Sequence, residues 1–178
     1  MASRSEEARH YSRVAMWFHW TIAALVIVNL AIGLLHDAIG GMAIHKPIGL
    51  TVLALTGGRV AWRIGHRPPP LPAHTPGWER GAAHATHWTL YLLMIAMPVT
   101  GWLMVSGTAT RRPLTWFGLF DLPYLPVGQA AGSVGHDAHA MLGFVMLALV
   151  VLHVAGALRH RLVLRDHVLA RMAPALDR

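Results

Sequence analysis

Two histidines, His139 and His153, stand fourteen positions apart in a run, Ala138–Leu158, that is otherwise almost wholly apolar. At about 100° per residue, that interval brings the second imidazole back to within roughly 40° of the first while advancing about 21 Å along a helix. The apolar core of a bilayer is about 30 Å thick. One helix crossing it would therefore hold a nitrogen ligand near each surface, on one face. Packing alone gives little reason for two imidazoles at this spacing. The pattern points to two stacked cofactors, read here as a pair of haems inside a membrane protein.

The composition agrees with a membrane setting. Hydrophobic residues make up 54% of the 178 residues and charged residues only 13%, about half the charged share of an ordinary soluble domain. The length suits one compact helical bundle, read as a single domain over 1–178. There is no cysteine, so disulfides, iron–sulfur clusters and thioether-attached haem are excluded. Any haem must be held without covalent bonds, and thirteen histidines are available to hold it.

Four apolar stretches, Val14–Leu35, Ile44–Trp62, Ala85–Ser106 and Ala138–Leu158, are each long enough to cross as a helix. The second is weakened by Lys46 and Arg59, and the third is expected to bend at Pro98. The fold class that follows is all-α, an integral membrane four-helix bundle with two b haems between its helices. No set of alternating barrel strands is present.

Four crossings put both termini on one side. Of the 15 lysines and arginines, only Lys46, Arg111 and Arg112 fall on the other side, so both termini are expected in the cytoplasm and the protein in a bacterial inner membrane. The net charge of +7 is thus a topology signal beside the spans and does not imply nucleic acid. Met1–Arg13 is polar and shows no signal-peptide pattern. Trp17, Trp20, Trp62, Trp88 and Trp102 lie toward span ends, as interfacial anchors or packing groups.

The connections are read as a short outer turn at His36–Ala43, a cytoplasmic loop at Gly65–His84 stiffened by Pro68-Pro69-Pro70, and a long outer loop at Gly107–Asp137. Within the last, Leu114–Phe120 is apolar enough to lie in the interface or cover the bundle.

Sorting the histidines by depth separates ligands from surface residues. His45 and His139 share the outer level, and His19 and His153 share the inner one. Two neutral imidazoles saturate a haem iron and favour electron transfer over gas binding. The undistorted pairing is therefore His45 with His139 and His19 with His153. His87 and His84 are rivals for the inner iron, and His136 for the outer. His10, His66, His74, His160 and His167 fit interfacial or solvated positions. Ala15, Ala23, Gly49, Gly143 and Gly156 lie about one turn from these histidines and would admit the edge of a macrocycle, or serve ordinary close helix packing. Arg59 and Arg63 inside, with Lys46 outside, are placed for haem propionates or for membrane anchoring. A cation pathway is disfavoured because Asp37, Glu79, Asp121 and Asp137 are all assigned to loops.

With these residues in place the chain resembles the bacterial cytochrome b561 family of small di-haem membrane proteins. The resemblance rests on Tyr11-Ser12-Arg13 with His19-Trp20, Ile44-His45 with Gly49, and His84-Ala85-Thr86-His87 with Tyr91-Leu92-Leu93. It continues through Pro98 and Gly101, Trp116-Phe117-Gly118-Leu119, His139 to His153, Ala157-Leu158-Arg159-His160 and Arg171-Met172-Ala173-Pro174. A more distant likeness is to the membrane cytochrome subunits of formate dehydrogenases and nickel–iron hydrogenases. The family resemblance implies electron exchange between a quinone pool and the outer face, in some members as superoxide oxidases that reduce ubiquinone. It suggests His87 and His160 as quinone contacts, although Leu162, Val163 and Leu164 stand where relatives often carry an aromatic residue.

Lys46, Arg111 and Arg112 would give the outer mouth a positive field for an anionic substrate. Three functions remain open: a self-contained superoxide:ubiquinone oxidoreductase, an electron-transfer subunit serving a dehydrogenase or other redox partner, and a non-redox membrane protein.

Overall fold

The computed structural model describes residues 10–39, 41–66, 69, 75–110 and 113–176. Arg67, Arg111, Arg112, His74 and most of the proline run lie outside the described residues. Four long helices and a single-turn one make up most of the described residues. Helix α1 (Arg13–Leu34) begins at Ser12, whose hydroxyl accepts the N–H of Ala15 and so satisfies one of the unpaired donors of the first turn. A single turn, α2 (His36–Ile39), leads to Gly41 at φ 93. A side chain at Gly41 would need a rare left-handed backbone and would meet Ile32 at 3.0 Å, so the turn into the next helix requires glycine.

Helix α3 (Met42–Gly65) contains Pro47, and α4 (Gly77–Ser106) contains Pro98. A small antiparallel hairpin follows, β1 (Thr115–Trp116) with β2 (Phe120–Asp121), in the register Thr115 to Asp121 and Trp116 to Phe120. Its reversal places Phe117 at φ 48 and Gly118 at φ 75. Helix α5 (Gln129–Arg159) runs into a π-helical turn, His160–Leu164, and Arg165 at φ 51 stops it. A 3₁₀ turn, Pro174–Leu176, lies near the C-terminus.

Helix α1 packs on α3, α3 on α4 and α4 on α5, around Ile22, Val26, Ile32, Ile48, Val52, Tyr91, Leu93, Met94 and Met146. At the hairpin end α4 and α5 approach to backbone contact. A Cβ on Gly107 would lie 2.5 Å from the Cα of Gly132, and one on Gly135 would lie 2.8 Å from the amide nitrogen of Met104. Elsewhere α5 turns large apolar side chains outward, among them Val134, Met141, Phe144, Val151 and Leu152. Such a surface suits lipid rather than water.

The start of α1 meets the segment that follows the π turn. Tyr11 donates its N–H to the carbonyl of Arg171, and the Trp20 indole donates to the carbonyl of Met172 at 2.8 Å. This terminal end is opposite the hairpin end, since the four long helices run alternately up and down.

The structure revises several sequence expectations. Among the described residues, three helical segments, Arg13–Leu34, Gly77–Ser106 and Gln129–Leu164, are long and apolar enough to cross a membrane by themselves. The segment expected at Ile44–Trp62 is a helix of 24 residues, but Lys46, Arg59 and Arg63 keep it from that apolarity. It depends on neighbours to shelter its cations. Helices α4 and α5 run beyond the apolar stretches, since further turns extend α4 back to Gly77 and α5 back to Gln129. Glu79 and Asp137 therefore lie on helices instead of in loops. Glu79 accepts a hydrogen bond from Arg159 at 2.9 Å, which joins α4 to α5. Hydropathy alone cannot see such turns, since helical backbone outside the apolar slab needs no apolar side chains.

Pro113 to Gly128 strap the hairpin end. Trp116 donates to Thr51 Oγ1, Lys46 to the carbonyl of Pro113, and Trp102 to the carbonyl of Pro123. Within the strap Leu114 is buried and covers the bundle, whereas Phe117, Leu119 and Phe120 are exposed.

Candidate functional site

Four histidines meet in two opposed pairs, at two levels of the helix assembly. At the hairpin end, His45 of α3 faces His139 of α5 with ring centres 6.0 Å apart at 79°. At the terminal end, His19 of α1 faces His153 of α5 with centres 6.2 Å apart at 67°. Imidazole nitrogen binds a transition metal at about 2.0–2.1 Å, so two rings ligating one ion from opposite sides have centres roughly 6.3 Å apart. Both separations fit that requirement. Among the described residues no three of His, Asp and Glu gather as an ion cage. The arrangement is one of opposed imidazole pairs, which suits a metal whose other positions are filled by a macrocycle.

The hairpin-end pair is oriented by a device that occurs twice. His45 Nδ1 lies 3.2 Å from the carbonyl of Asn29, and His139 Nδ1 lies 2.9 Å from the carbonyl of Met97. A ring N–H donating to a carbonyl fixes the tautomer and leaves Nε2 with its lone pair free for a metal. A helix carbonyl is normally screened by the side chain four residues later, toward which it points. Here those positions are Gly33 and Gly101. A Cβ at Gly33 would lie 3.0 Å from His45 Cε1, and one at Gly101 would lie 3.2 Å from His139 Cε1. Each glycine bares a carbonyl of its own helix to a histidine of another. Thr100 adds a hydroxyl that donates to Met97 and lies 3.2 Å from His139 Nδ1.

The terminal-end pair is built differently. Arg59 Nη1 lies 3.2 Å from His19 Nδ1. A guanidinium only donates, so in this arrangement the Nδ1 of His19 accepts. Arg59 and Arg63 stand over the ring of Tyr91, their guanidinium carbons 5.5 and 5.8 Å from its centre. Tyr91 is 8% exposed and Thr56 is 0% exposed, yet neither hydroxyl has a partner among the described residues. Buried hydroxyls left unpaired cost about 1–3 kcal/mol each. Two beside a pair of arginines make a place for an anionic acceptor group.

His87 also reaches this level, with its ring centre 5.2 Å from that of His153. That is too close for the two rings to ligate one ion from opposite sides. His160 lies beyond, on the π turn, with Nδ1 2.6 Å from Asp166 Oδ2. Of the other histidines, His66 stacks on Trp62 at 3.7 Å, His84 bonds to the carbonyl of Arg80 and His136 bonds to Asp137.

Some site residues were not visible in the sequence. Gly33, Asn29, Met97 and Thr100 act through backbone or local geometry, and only the four-residue step between carbonyl and glycine hints at them. Of the small residues singled out earlier, Gly49 and Gly143 would make only ordinary contacts through a Cβ, whereas Gly156 has open space beside it.

Residues 10–175 match the family model described as prokaryotic cytochrome b561. The chain belongs to this family. It is therefore a membrane protein of a family of b-type cytochromes that transfer electrons. It is 33% identical over 172 residues to "Cytochrome b561 homolog 2" of Escherichia coli K12, covering 91% of this chain and 90% of the relative. It is 29% identical over 182 residues to "Probable superoxide oxidase CybB" of Yersinia pestis, covering 93% and 97%. A third relative is "Cytochrome b562" of Cereibacter sphaeroides, 31% identical over 177 residues, covering 91% and 94%.

Proposed function

We propose that this cytochrome b561 family member is a four-helix di-haem protein of the bacterial inner membrane that carries electrons from superoxide at its outer face to ubiquinone. The observation that carries this reading is the pair of opposed imidazole couples at 6.0 and 6.2 Å, with both α5 members on one helix face. His45 and His139 would hold one haem at the hairpin end, and His19 and His153 a second at the terminal end. When bound, haem iron supplies one-electron redox chemistry. With two histidines holding each iron, substrates would exchange electrons without binding the metal.

At the terminal end, Arg59, Arg63 and the hydroxyls of Tyr91 and Thr56 would hold carboxylates of the cofactor. The same carboxylates would draw Arg59 from His19 Nδ1 and so free the tautomer that ligates through Nε2. Lys46 supplies positive charge at the hairpin end, where an anionic oxidant or reductant would approach. His87 and His160, both at the terminal end, are the groups suited to hydrogen-bond a quinone and move its protons. The electron count balances: two superoxide anions each release one electron and become dioxygen, while one quinone takes two electrons and two protons to become quinol. The excess of arginine at the terminal end supports a cytoplasmic side for that end.

The test is a superoxide pulse delivered to the oxidised holoprotein in a rapid-mixing spectrophotometer, with and without ubiquinone. Two b haems reduced near the diffusion limit, then reoxidised only when quinone is present, is the expected result. Slow reduction by superoxide would overturn the reaction and favour a subunit fed by another redox protein.

A further inference from the structure

The turn that ends α5 has a construction the rest of the helix does not require. At His160 the helix widens into a π turn through Leu164, Arg165 takes a left-handed conformation at φ 51, and the chain folds back so that Asp166 N–H donates to the carbonyl of His160 at 3.1 Å. This brings the carboxylate of Asp166 onto the imidazole six residues earlier. Oδ2 lies 2.6 Å from His160 Nδ1, and Oδ1 accepts the N–H of Val168 at 3.0 Å. Both carboxylate oxygens are thereby engaged, and both side chains are largely buried, at 19% and 14% exposure. A π turn and a left-handed arginine are uncommon, and such features cluster where function sets the geometry.

We infer that Asp166 is a positioning residue that holds His160 as the proton-carrying group for quinone reduction at the terminal end. This inference rests on the proposed quinone chemistry. The carboxylate accepts the Nδ1–H, so the lone pair of Nε2 is free to take a proton from water. Nε2 then gives that proton to a quinone oxygen as the ring accepts electrons delivered by the cytochrome, and it is reloaded from the aqueous face. The proton moves from water to Nε2 to quinol, and the electrons come from the one-electron donor at the far face.

Asp166→Asn separates this role from a structural one. The amide oxygen can still accept from Val168, but its NH₂ group now faces His160 Nδ1 and can only donate, which forces the proton onto Nε2. In the holoprotein the maximal rate of quinone reduction should fall about 10- to 100-fold, the size expected when an imidazole loses its orienting carboxylate. KM for ubiquinone should stay within about threefold of the original. Haem content and superoxide-driven haem reduction without quinone should be unchanged, Asp166→Glu should recover most of the rate, and ¹⁵N NMR of labelled histidine should show the His160 proton moving from Nδ1 to Nε2.

An unchanged maximal rate in Asp166→Asn would overturn the inference. So would a fall matched by equal loss of haem or of haem reduction, since that marks a merely structural role. An original protein that reduces no quinone would instead overturn the functional reading, and this inference with it.

Discussion

Gly33 and His45 are sterically matched: a Cβ at position 33 would lie 3.0 Å from Cε1 of the imidazole, in the gap through which His45 reaches the carbonyl of Asn29. In a helix interior, glycine to alanine ordinarily stabilises by about 0.5–1 kcal/mol. Here it should push the ring from its carbonyl. Gly33→Ala, and more so Gly33→Val, is expected to weaken haem retention at the hairpin end about 10-fold or more, as loss of a ligand's supporting hydrogen bond does. The terminal-end haem should remain. Haem-to-protein ratio and low-temperature absorption of the purified variants check this; a fully loaded and more stable Gly33→Ala protein would show that the gap has slack. Gly101→Ala, beside His139, should act in the same direction.

At the terminal end, the ring separations choose between two candidate partners for His153. His19 stands 6.2 Å away and His87 5.2 Å. His19→Ala should therefore leave one haem per chain. His87→Ala should keep both haems and slow only the exchange with quinone. Pyridine haemochrome assays of the two variants decide the matter, and loss of a haem in His87→Ala alone would reverse the assignment.

The sequence made the histidine levels legible because a 3.6-residue period converts spacing into direction without tertiary knowledge. His139 and His153 could be placed on one face, and the meetings His45–His139 and His19–His153 then followed from depth alone. The polar turns of α4 and α5 beyond the apolar slab were not legible, since hydropathy reports the slab and not the helix. Nor was the sheltering of Arg59 and Arg63 over Tyr91, which needs two helices side by side. Asp166 escaped notice for a related reason. Its approach to His160 depends on a π turn and a left-handed Arg165, two departures that no regular period encodes.

The close crossing of α4 and α5 predicts a stability effect separate from the site. A Cβ on Gly132 would lie 2.8 Å from the Cα of Gly107, and backbone cannot move aside as a flexible side chain can. Gly132→Ala should therefore destabilise the protein by about 1–3 kcal/mol, the range for overpacking a filled interface. Thermal unfolding of the holoprotein in one detergent, followed by loss of haem absorbance, should show a lower Tm. An unchanged Tm would mean that the helices separate there at little cost.

Lys46 bears on the approach of substrate to the hairpin end. Its ammonium donates to the carbonyl of Pro113 at 2.9 Å, so the charge is held at the strap instead of sweeping through solvent. A fixed cation at a mouth raises the encounter rate of an anion, and salt screens that gain over a Debye length of about 10 Å at 0.1 M. Lys46→Met keeps much of the side chain's length and removes the charge. It should slow superoxide-driven haem reduction about two- to tenfold at low ionic strength and flatten the decline of the rate with added salt. Reduction by a neutral electron donor should be unaffected. Equal slowing with charged and neutral donors would assign Lys46 to holding the strap, and the steering of an anionic substrate would then have to come from elsewhere on that face.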